Sequence, residues 1–478
     1  MWKRFALPLL CMLTLSASAS SKKSKPNIIV LLADDLGYND LSCYGGIPQT
    51  PHLDQLASNG IKFTNFYAAA PNCSPSRAGL LTGRSPFRAG IYSYRPVNHP
   101  MHLRNQEITI AEELKQAGYQ TVHLGKWHLG ALPASKDFPH PQPTDQGFDY
   151  SYGTENGARP SHHNPVNFVR NGQPLPKQDG YSCQLLANEA ISWWKNNYQK
   201  EHPFFMYVAF HEPHSKVAAP QNLVNNYSEH KNAATYLACI QNMDLAIGRI
   251  IRQLKAMGEY ENTLIVFASD NGSYRQASNQ PLRALKSWLY EGGIRVPGII
   301  SWPNAIATHK TIDEPAGLID LYSTFCEAAH ITPSSKREQD GTNILPLLTG
   351  EKFQRQKPLF WFFYRTSPEI AIRQGDFMLM GKDNDQTPRS HGFSSIDMEY
   401  IKQLQLQSFE LYNLKNDLKQ QTNLWDATHQ LQKQLLNHLL NEVKTKGVKW
   451  DTLPAPHKNR KVKTQWKKYK FVKTNSNE

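Results

Sequence analysis

The stretch Asn27-Ile28-Ile29-Val30-Leu31-Leu32-Ala33-Asp34-Asp35 sets the architecture. Its apolar residues run on without polar alternation, so a strand built from them hides both faces, as strands do inside a parallel sheet. Two carboxylates follow at once. Residues 119–124, 204–210 and Thr263–Ser269 read as three more strands, the first of them after a helical pattern over 110–117. A longer helix is expected over 236–257, with Ile240, Met243, Ile247, Ile250 and Leu254 on one face and Gly258 to end it. Short apolar runs alternating with helices make βαβ units and a largely parallel sheet. After about residue 350 the pattern changes. Residues 357–364, 369–373 and 376–380 look like a short antiparallel meander. An amphipathic helix carrying Leu431, Leu435, Leu436, Leu439 and Val443 follows it.

In an open α/β sheet, ligands bind beyond the carboxyl ends of the strands. Here those ends deliver Asp34-Asp35, Gly125-Lys126-Trp127-His128, His211-Glu212-Pro213-His214 and Asp270-Asn271-Gly272. A polar residue after one strand is ordinarily a turn or a cap. Four such endings, each with chemically useful groups, point to a site. Asp34, Asp35, Asp270 and Asn271 form an all-oxygen donor set, which suits calcium or magnesium, whereas zinc prefers nitrogen and sulfur. Taken alone, the same residues also fit a helix cap at Asp35 and an ordinary turn at Asp270-Asn271-Gly272.

The segment Asn72-Cys73-Ser74-Pro75-Ser76-Arg77-Ala78-Gly79-Leu80-Leu81-Thr82-Gly83-Arg84 carries most of the function. Pro75 suits the first turn of a helix, which places Cys73 at the amino end, where free N–H groups and the helix dipole favour an anion. Arg77 falls within the first two turns, in reach of position 73. A lone cysteine is usually a small buried hydrophobe, but this pattern is much longer than a lone cysteine. Cys73-x-Pro75-x-Arg77 followed by Leu81-Thr82-Gly83-Arg84 resembles the signature of the type I, formylglycine-dependent sulfatases. The resemblance spans most of the chain. It takes in residues 27–37, Gly125-Lys126-Trp127-His128-Leu129-Gly130, Asp270-Asn271-Gly272 and Lys286. Tyr290-Glu291-Gly292-Gly293-Ile294-Arg295-Val296-Pro297 and Glu410-Leu411-Tyr412-Asn413-Leu414 extend it toward the carboxyl end.

The resemblance implies an alkaline-phosphatase-like α/β sandwich: a large mixed, mainly parallel sheet between helices, with a small C-terminal antiparallel-sheet subdomain. It implies that a formylglycine-generating maturation enzyme oxidises Cys73, and that one hydroxyl of the hydrated aldehyde attacks the sulfur of a sulfate ester. The covalent enzyme-sulfate intermediate then loses sulfate with help from the second hydroxyl. By the same resemblance Asp34, Asp35, Cys73, Asp270 and Asn271 hold one Ca2+. Arg77 orients and acidifies the diol, Lys126 and Lys286 contact sulfate oxygens, His128 assists the elimination, and His211 protonates the departing alcohol. Residues between Gly153 and Asn164 fall where the family's sulfate pocket continues. Arg159, Ser161, His162 and His163, together with His214 nearby, are the expected substrate contacts.

The bulk properties fit an exported protein. At 478 residues, with 40% hydrophobic and 11% aromatic content, the chain has ample core-forming residues, which excludes global disorder. The apolar run from Phe5 to Leu15 follows Lys3-Arg4 and precedes Ala17-Ser18-Ala19. It reads as a signal peptide over 1–19, cut near Ala19 for periplasmic or secreted delivery, and not as a transmembrane span. Cys11 lacks the preceding small residues of a lipoprotein signal. Domains are expected at 25–350 (catalytic) and 351–456, with a basic tail at 457–478 that carries +7 of the formal net charge of +13. Without signal and tail the body holds +4. An exported protein of this charge suits a polyanionic sugar better than nucleic acid. No CxxC pair is present, which argues against a zinc ribbon or thioredoxin-type site. Cys43, Cys183, Cys239 and Cys326 allow two disulfides in three connectivities, or none.

The expected activity is hydrolysis of a sulfate ester on a sulfated polysaccharide or oligosaccharide, a carrageenan-type galactan ahead of a glycosaminoglycan. The rivals are a phosphate or phosphonate monoester hydrolase of the same superfamily, and a non-catalytic polyanion-binding protein should Cys73 not mature.

Overall fold

A computed structural model describes residues 25–97, 99–133, 141–306, 308–334, 337–383, 392–426 and 428–453. The expected signal peptide and basic tail lie outside the described residues. The first sheet has eleven strands. They are β1 (Asn27–Ala33), β2 (Ile61–Tyr67), β3 (Gln120–Lys126), β4 (Tyr150–Thr154), β5 (Val169–Arg170), β6 (Gln173–Pro174), β7 (Phe204–Ala209), β8 (Thr263–Ser269), β9 (Arg295–Ser301), β10 (Lys310–Ile312) and β11 (Ala316–Gly317). Their order is β10-β2-β9-β8-β1-β7-β3-β4-β5-β6, with β11 beside β2. The central run β8-β1-β7-β3-β4 is wholly parallel, and β9, β5 and β6 join antiparallel.

The unbroken apolar run of β1 has a direct reason. Ile28, Val30 and Leu32 point into one core, and Ile29, Leu31 and Ala33 into another on the opposite face. On the first face lie α1 (Cys73–Thr82), α2 (Ile110–Gln116) and α5 (Leu321–Ala328); on the second lie α3 (Ser182–Asn196) and α4 (Ala234–Ala256). Helix α2 starts where its cap dictates. Thr109 Oγ1 accepts from Glu112 N at 3.2 Å, and the Glu112 carboxylate accepts from Thr109 N at 2.7 Å, a reciprocal capping box. The expected strand 119–124 spans Gln120–Lys126, because its ladder with β7 continues to Gly125 and its ladder with β4 to Lys126.

Two glycines let the central strands converge at their carboxyl ends. A Cβ on Gly125, whose φ is +104°, would meet Ala209 O at 1.9 Å, and one on Gly153 would meet Gly125 O at 1.8 Å. No side chain fits at either position, so the chain approach that delivers Lys126, Thr154 and His211 depends on both.

After residue 350 comes an antiparallel sheet in the order β12 (Leu359–Phe362), β13 (Ile370–Gln374), β14 (Phe377–Lys382) and β15 (Ser408–Asn413). The last helix, α6 (Gln430–Lys446), packs on it, but by a narrower stripe than the sequence pattern indicates. Leu436, Leu440 and Val443, spaced i, i+4, i+7, are buried, while Leu431 is 77% exposed and Leu435 38%. Leu435 lies roughly one helical step round the axis from that stripe, and Leu431 farther round, toward the opposite face. The small sheet is joined to the large one through buried groups. Trp361 Nε1 donates to Ala68 O at 2.8 Å, and Arg373 bonds the Tyr67 hydroxyl, which donates to Glu291 Oε2 at 2.9 Å.

Candidate active site

The carboxyl ends of β1, β3, β7 and β8 and the amino end of α1 meet in one buried place. Asp34 and Asp35 follow β1, Lys126 closes β3, His211 lies two residues beyond β7, and Asp270-Asn271 follow β8. Cys73 is the first residue of α1, with Asn72 as its cap. Asp35 and His128 sit at φ +65° and +59°, conformations uncommon for residues with a side chain. Such strain is retained where the surroundings fix it, and it gathers at functional sites.

Three carboxylates face three cations. Lys126 Nζ reaches Asp34 Oδ2 at 2.7 Å, and Lys286 Nζ bonds Asp35 Oδ1 and Oδ2 at 2.6 and 2.7 Å. Arg77 donates to Asp270 Oδ2 through Nε at 3.0 Å and NH2 at 2.6 Å, and to the Lys126 carbonyl at 3.0 Å. Lys286 Nζ also lies 3.2 Å from Cys73 Sγ, and Sγ is 3.9 Å from Asp35 Oδ1. His214 Nε2 stands 3.6 Å from Asp35 Oδ2. Ligand atoms of Asp34, Asp35 and Cys73 lie within 4.8 Å of one another. Asn271 Nδ2 donates to Asp35 Oδ1 at 2.7 Å, and Asp270 Oδ1 accepts Asp35 N at 3.1 Å. Two buried acceptors, Asp34 Oδ1 and Asn271 Oδ1, have no hydrogen-bond donor. Paired hard oxygens left over in a buried acidic cluster are the donor chemistry of a calcium- or magnesium-type cation.

The electrostatics follow from burial and charge. Burial raises the Asp34 carboxyl, but Lys126, then His214, Arg77 and Lys286, overcome it and hold the group well below the usual carboxylate range. Burial pushes Asp270 up to about 7 despite Arg77. The Cys73 thiol is pushed up to about 12, chiefly by burial. Desolvation keeps His128 and His211 neutral, and each has an unpartnered Nδ1. His128 Nε2 meets the Arg95 carbonyl at 2.8 Å, so Nε2 carries the proton and Nδ1 is the basic nitrogen. His211 Nε2 meets Thr154 Oγ1 at 2.9 Å.

Comparison with known proteins decides the class. Residues 26–331 match the sulfatase family model. The chain belongs to the sulfatase family. Residues 285–446 also match the family described as N-sulphoglucosamine sulphohydrolase, C-terminal. The rat (Rattus norvegicus) N-acetylgalactosamine-6-sulfatase is 32% identical over 406 residues, 78% of this chain and 74% of the relative. Human (Homo sapiens) arylsulfatase A is 33% identical over 415 residues, 78% and 79% of the two chains. Among solved structures, Ps i-CgsB in complex with k-i-k-neocarrahexaose superposes with a TM-score of 0.75. It is 28% identical, covering 90% of this chain and 93% of that one. The protein is therefore a sulfuric ester hydrolase with the alkaline-phosphatase-like fold of its structural neighbours.

Of the residues singled out in the sequence, Asp34, Asp35, Cys73, Arg77, Lys126, Asp270, Asn271 and Lys286 come together as one interlocked cluster, with His214 against Asp35. His128 and His211 stand behind it. The 159–163 candidates separate. His162 is buried, with Nδ1 3.4 Å from Cys239 Sγ, whereas His163 is exposed and stacked on Tyr181 at 4.5 Å. Arg159 is exposed and Ser161 partly so. Cys43, Cys73, Cys183, Cys239 and Cys326 are all free thiols.

Sequence reasoning missed Glu212 as a hub. Its buried carboxylate accepts from Cys183 N at 2.9 Å, His211 N at 3.1 Å and the Ser182 hydroxyl, at the amino end of α3 where a negative charge is favoured. Its carbonyl accepts Asp34 N at 2.9 Å. One residue thus links the acidic cluster, the His211 loop and a helix terminus. The partners lie about thirty residues ahead of it and far toward the amino end, so no local spacing announces them. Arg95 was missed for the same reason: Ser74 Oγ accepts its N–H at 2.9 Å, its carbonyl holds His128, and its buried guanidinium pairs with Glu155.

Proposed function

We propose that this protein is an exported sulfatase acting on a sulfated carbohydrate, with formylglycine at position 73 and one bound calcium ion. The observation that carries this reading is the place of Cys73: the first residue of α1, buried, with Sγ 3.2 Å from Lys286 Nζ and 3.9 Å from Asp35 Oδ1. A thiol that burial pushes up is a weak nucleophile at that focus. Oxidation to an aldehyde, which hydrates, provides a hydroxyl nucleophile at that place. Asp34, Asp35, Asp270, Asn271 and the matured residue 73 hold the calcium ion, whose charge would offset that of a sulfate oxygen.

The chain's own groups then have distinct tasks. Lys286, the one cation of the cluster with part of its side chain exposed, binds a sulfate oxygen; its amine, next to Asp35, stays charged. Lys126 adds positive charge from within. Arg77, locked by Asp270, orients the group at position 73. His128 accepts a proton at Nδ1. His211, whose Nε2 meets Thr154 Oγ1 at 2.9 Å, is placed to deliver a proton to the departing alcohol. His211→Ala is therefore expected to lose roughly 10²-fold more activity on a sugar sulfate than on 4-nitrophenyl sulfate, whose leaving phenolate hardly needs a proton. Equal losses in a steady-state comparison would remove His211 from that role.

A carrageenan-type galactan is favoured over a glycosaminoglycan by the likeness, over nine-tenths of the chain, to the structure solved with neocarrahexaose. Export rests on the leader-like residues 1–19, and no helix among the described residues is long and apolar enough to cross a membrane. The deciding experiment is peptide mass spectrometry across residues 72–77 of protein purified from its own host, alongside paired aryl sulfate and phosphate esters. A loss of about 18 Da at Cys73 with sulfate preference supports the reading. An unmodified thiol overturns it in favour of polyanion binding, and phosphate preference in favour of a phosphate or phosphonate monoesterase.

A further inference from the structure

A cavity of about 430 Å3 lies against the wall that carries the two site histidines, a volume typical of pockets that hold a small ligand. Phe168 lines it, and the Phe168 ring packs 5.5 Å from the His211 ring. Glu155 lines it as well, and its carbonyl accepts the backbone N–H of His128 at 2.7 Å. Leu132, Val166 and Leu175 make apolar walls. The polar lining divides into groups that are engaged and groups that are not. The Glu155 carboxylate is engaged by Arg95, which is itself buried. Asn167 accepts Arg159 N at 2.9 Å and donates to Gly157 O at 2.9 Å. The Asn156 amide and the exposed Arg159 guanidinium have no side-chain hydrogen bond or ion pair among the described residues.

We propose that this cavity receives the sugar unit next to the one that carries the cleaved sulfate, and that Arg159 binds an anionic substituent on that unit. This rests on the carbohydrate reading above. The departing alcohol belongs to the sulfated unit and is met by His211; Phe168 both packs on that histidine and lines the cavity, so the cavity lies one side chain beyond it, in reach of the neighbouring unit. Apolar walls suit the C–H faces of a pyranose ring. Asn156 offers donors and an acceptor to ring hydroxyls, and the planar guanidinium fork matches a sulfate or a carboxylate bidentately. With the Glu155 charge taken up inside the wall, the unpaired charge that the described lining residues leave at the cavity is positive.

The test compares kcat/KM for disaccharides that carry the scissile sulfate and, on the neighbouring unit, a second sulfate, a carboxylate or no charge, with 4-nitrophenyl sulfate as reference. The wild-type protein is expected to favour an anionic neighbour by about fivefold, in keeping with a solvent-exposed ion pair, and Arg159→Ala to bring that ratio close to one through KM. The sulfate and carboxylate arms show which anion is read. Val166→Trp, at a position 55% exposed on the cavity wall, is expected to lower turnover of all disaccharides relative to the aryl ester. Wild-type indifference to neighbour charge, or an equal loss on every substrate in Arg159→Ala, overturns the cavity assignment alone. Hydrolysis of the aryl ester with no turnover of any disaccharide overturns the carbohydrate reading and this inference with it.

Discussion

Replacing Cys73 with alanine is expected to lower kcat/KM for an aryl sulfate by at least about 10⁴-fold while leaving the protein folded. The side chain is small and 2% exposed, and alanine is the better helix former at the start of α1, so the fold has little to lose. The cluster around it also persists without sulfur, because Lys286 keeps both oxygens of Asp35 and Arg77 keeps Asp270. What disappears is the atom on which a nucleophile is built. The cations that remain still attract sulfate, so sulfate analogues should bind the variant while turnover is gone. Steady-state kinetics with a thermal melt would check this. Activity within tenfold of wild type, at an unchanged melting temperature, would move the nucleophile elsewhere.

The second large effect is expected at Asp35. Asn is the apt replacement because it tolerates the left-handed backbone that Asp35 occupies, so the change removes charge with little added strain. Asp35 accepts from Lys286 twice and from Asn271 once, and stands beside His214. Removing one partner of a buried charge set costs about 3–5 kcal/mol, which for ion binding is roughly 10²- to 5 × 10³-fold in affinity. Calorimetric titration of Asp35→Asn with calcium should therefore show a Kd raised by that factor, with a parallel loss of activity that excess calcium restores only in part. Wild-type calcium affinity in the variant would take Asp35 out of the ion site and falsify the donor set as assigned. Chelation of the wild-type protein should imitate the variant and be reversed by calcium.

Much of the site is legible in the sequence. The run Asn27–Ala33 is apolar because both of its faces are covered, and a strand of that kind ends at the sheet edge where ligands bind; with three other strand ends carrying polar groups, that placed Asp34-Asp35 at a candidate site, while a helix cap at Asp35 stayed open. Cys73 at a helix start with Pro75 and Arg77 is a local arrangement, legible from residues within one another's reach. The amphipathic stripe of α4 and the change of pattern near residue 350 are equally local. These features follow from periodicity and from short-range sterics, which one stretch of chain determines for itself.

What only the tertiary structure decided is which distant residues meet. Glu212 draws together Ser182, Cys183, His211 and Asp34, and Arg95 ties Ser74 to His128 and Glu155; the adjacent strands β1 and β7 are about 170 residues apart in sequence. The buried link from Arg373 through Tyr67 to Glu291 spans more than 300 positions. His162 and His163 are neighbours in sequence, yet one is buried beside Cys239 and the other faces solvent. Leu431 and Leu435 fit the apolar pattern of their helix but miss the small sheet. In each case the outcome depends on packing between elements whose chain separation carries no periodic signal, and burial, not residue type, then sets the charge state and partner of each group.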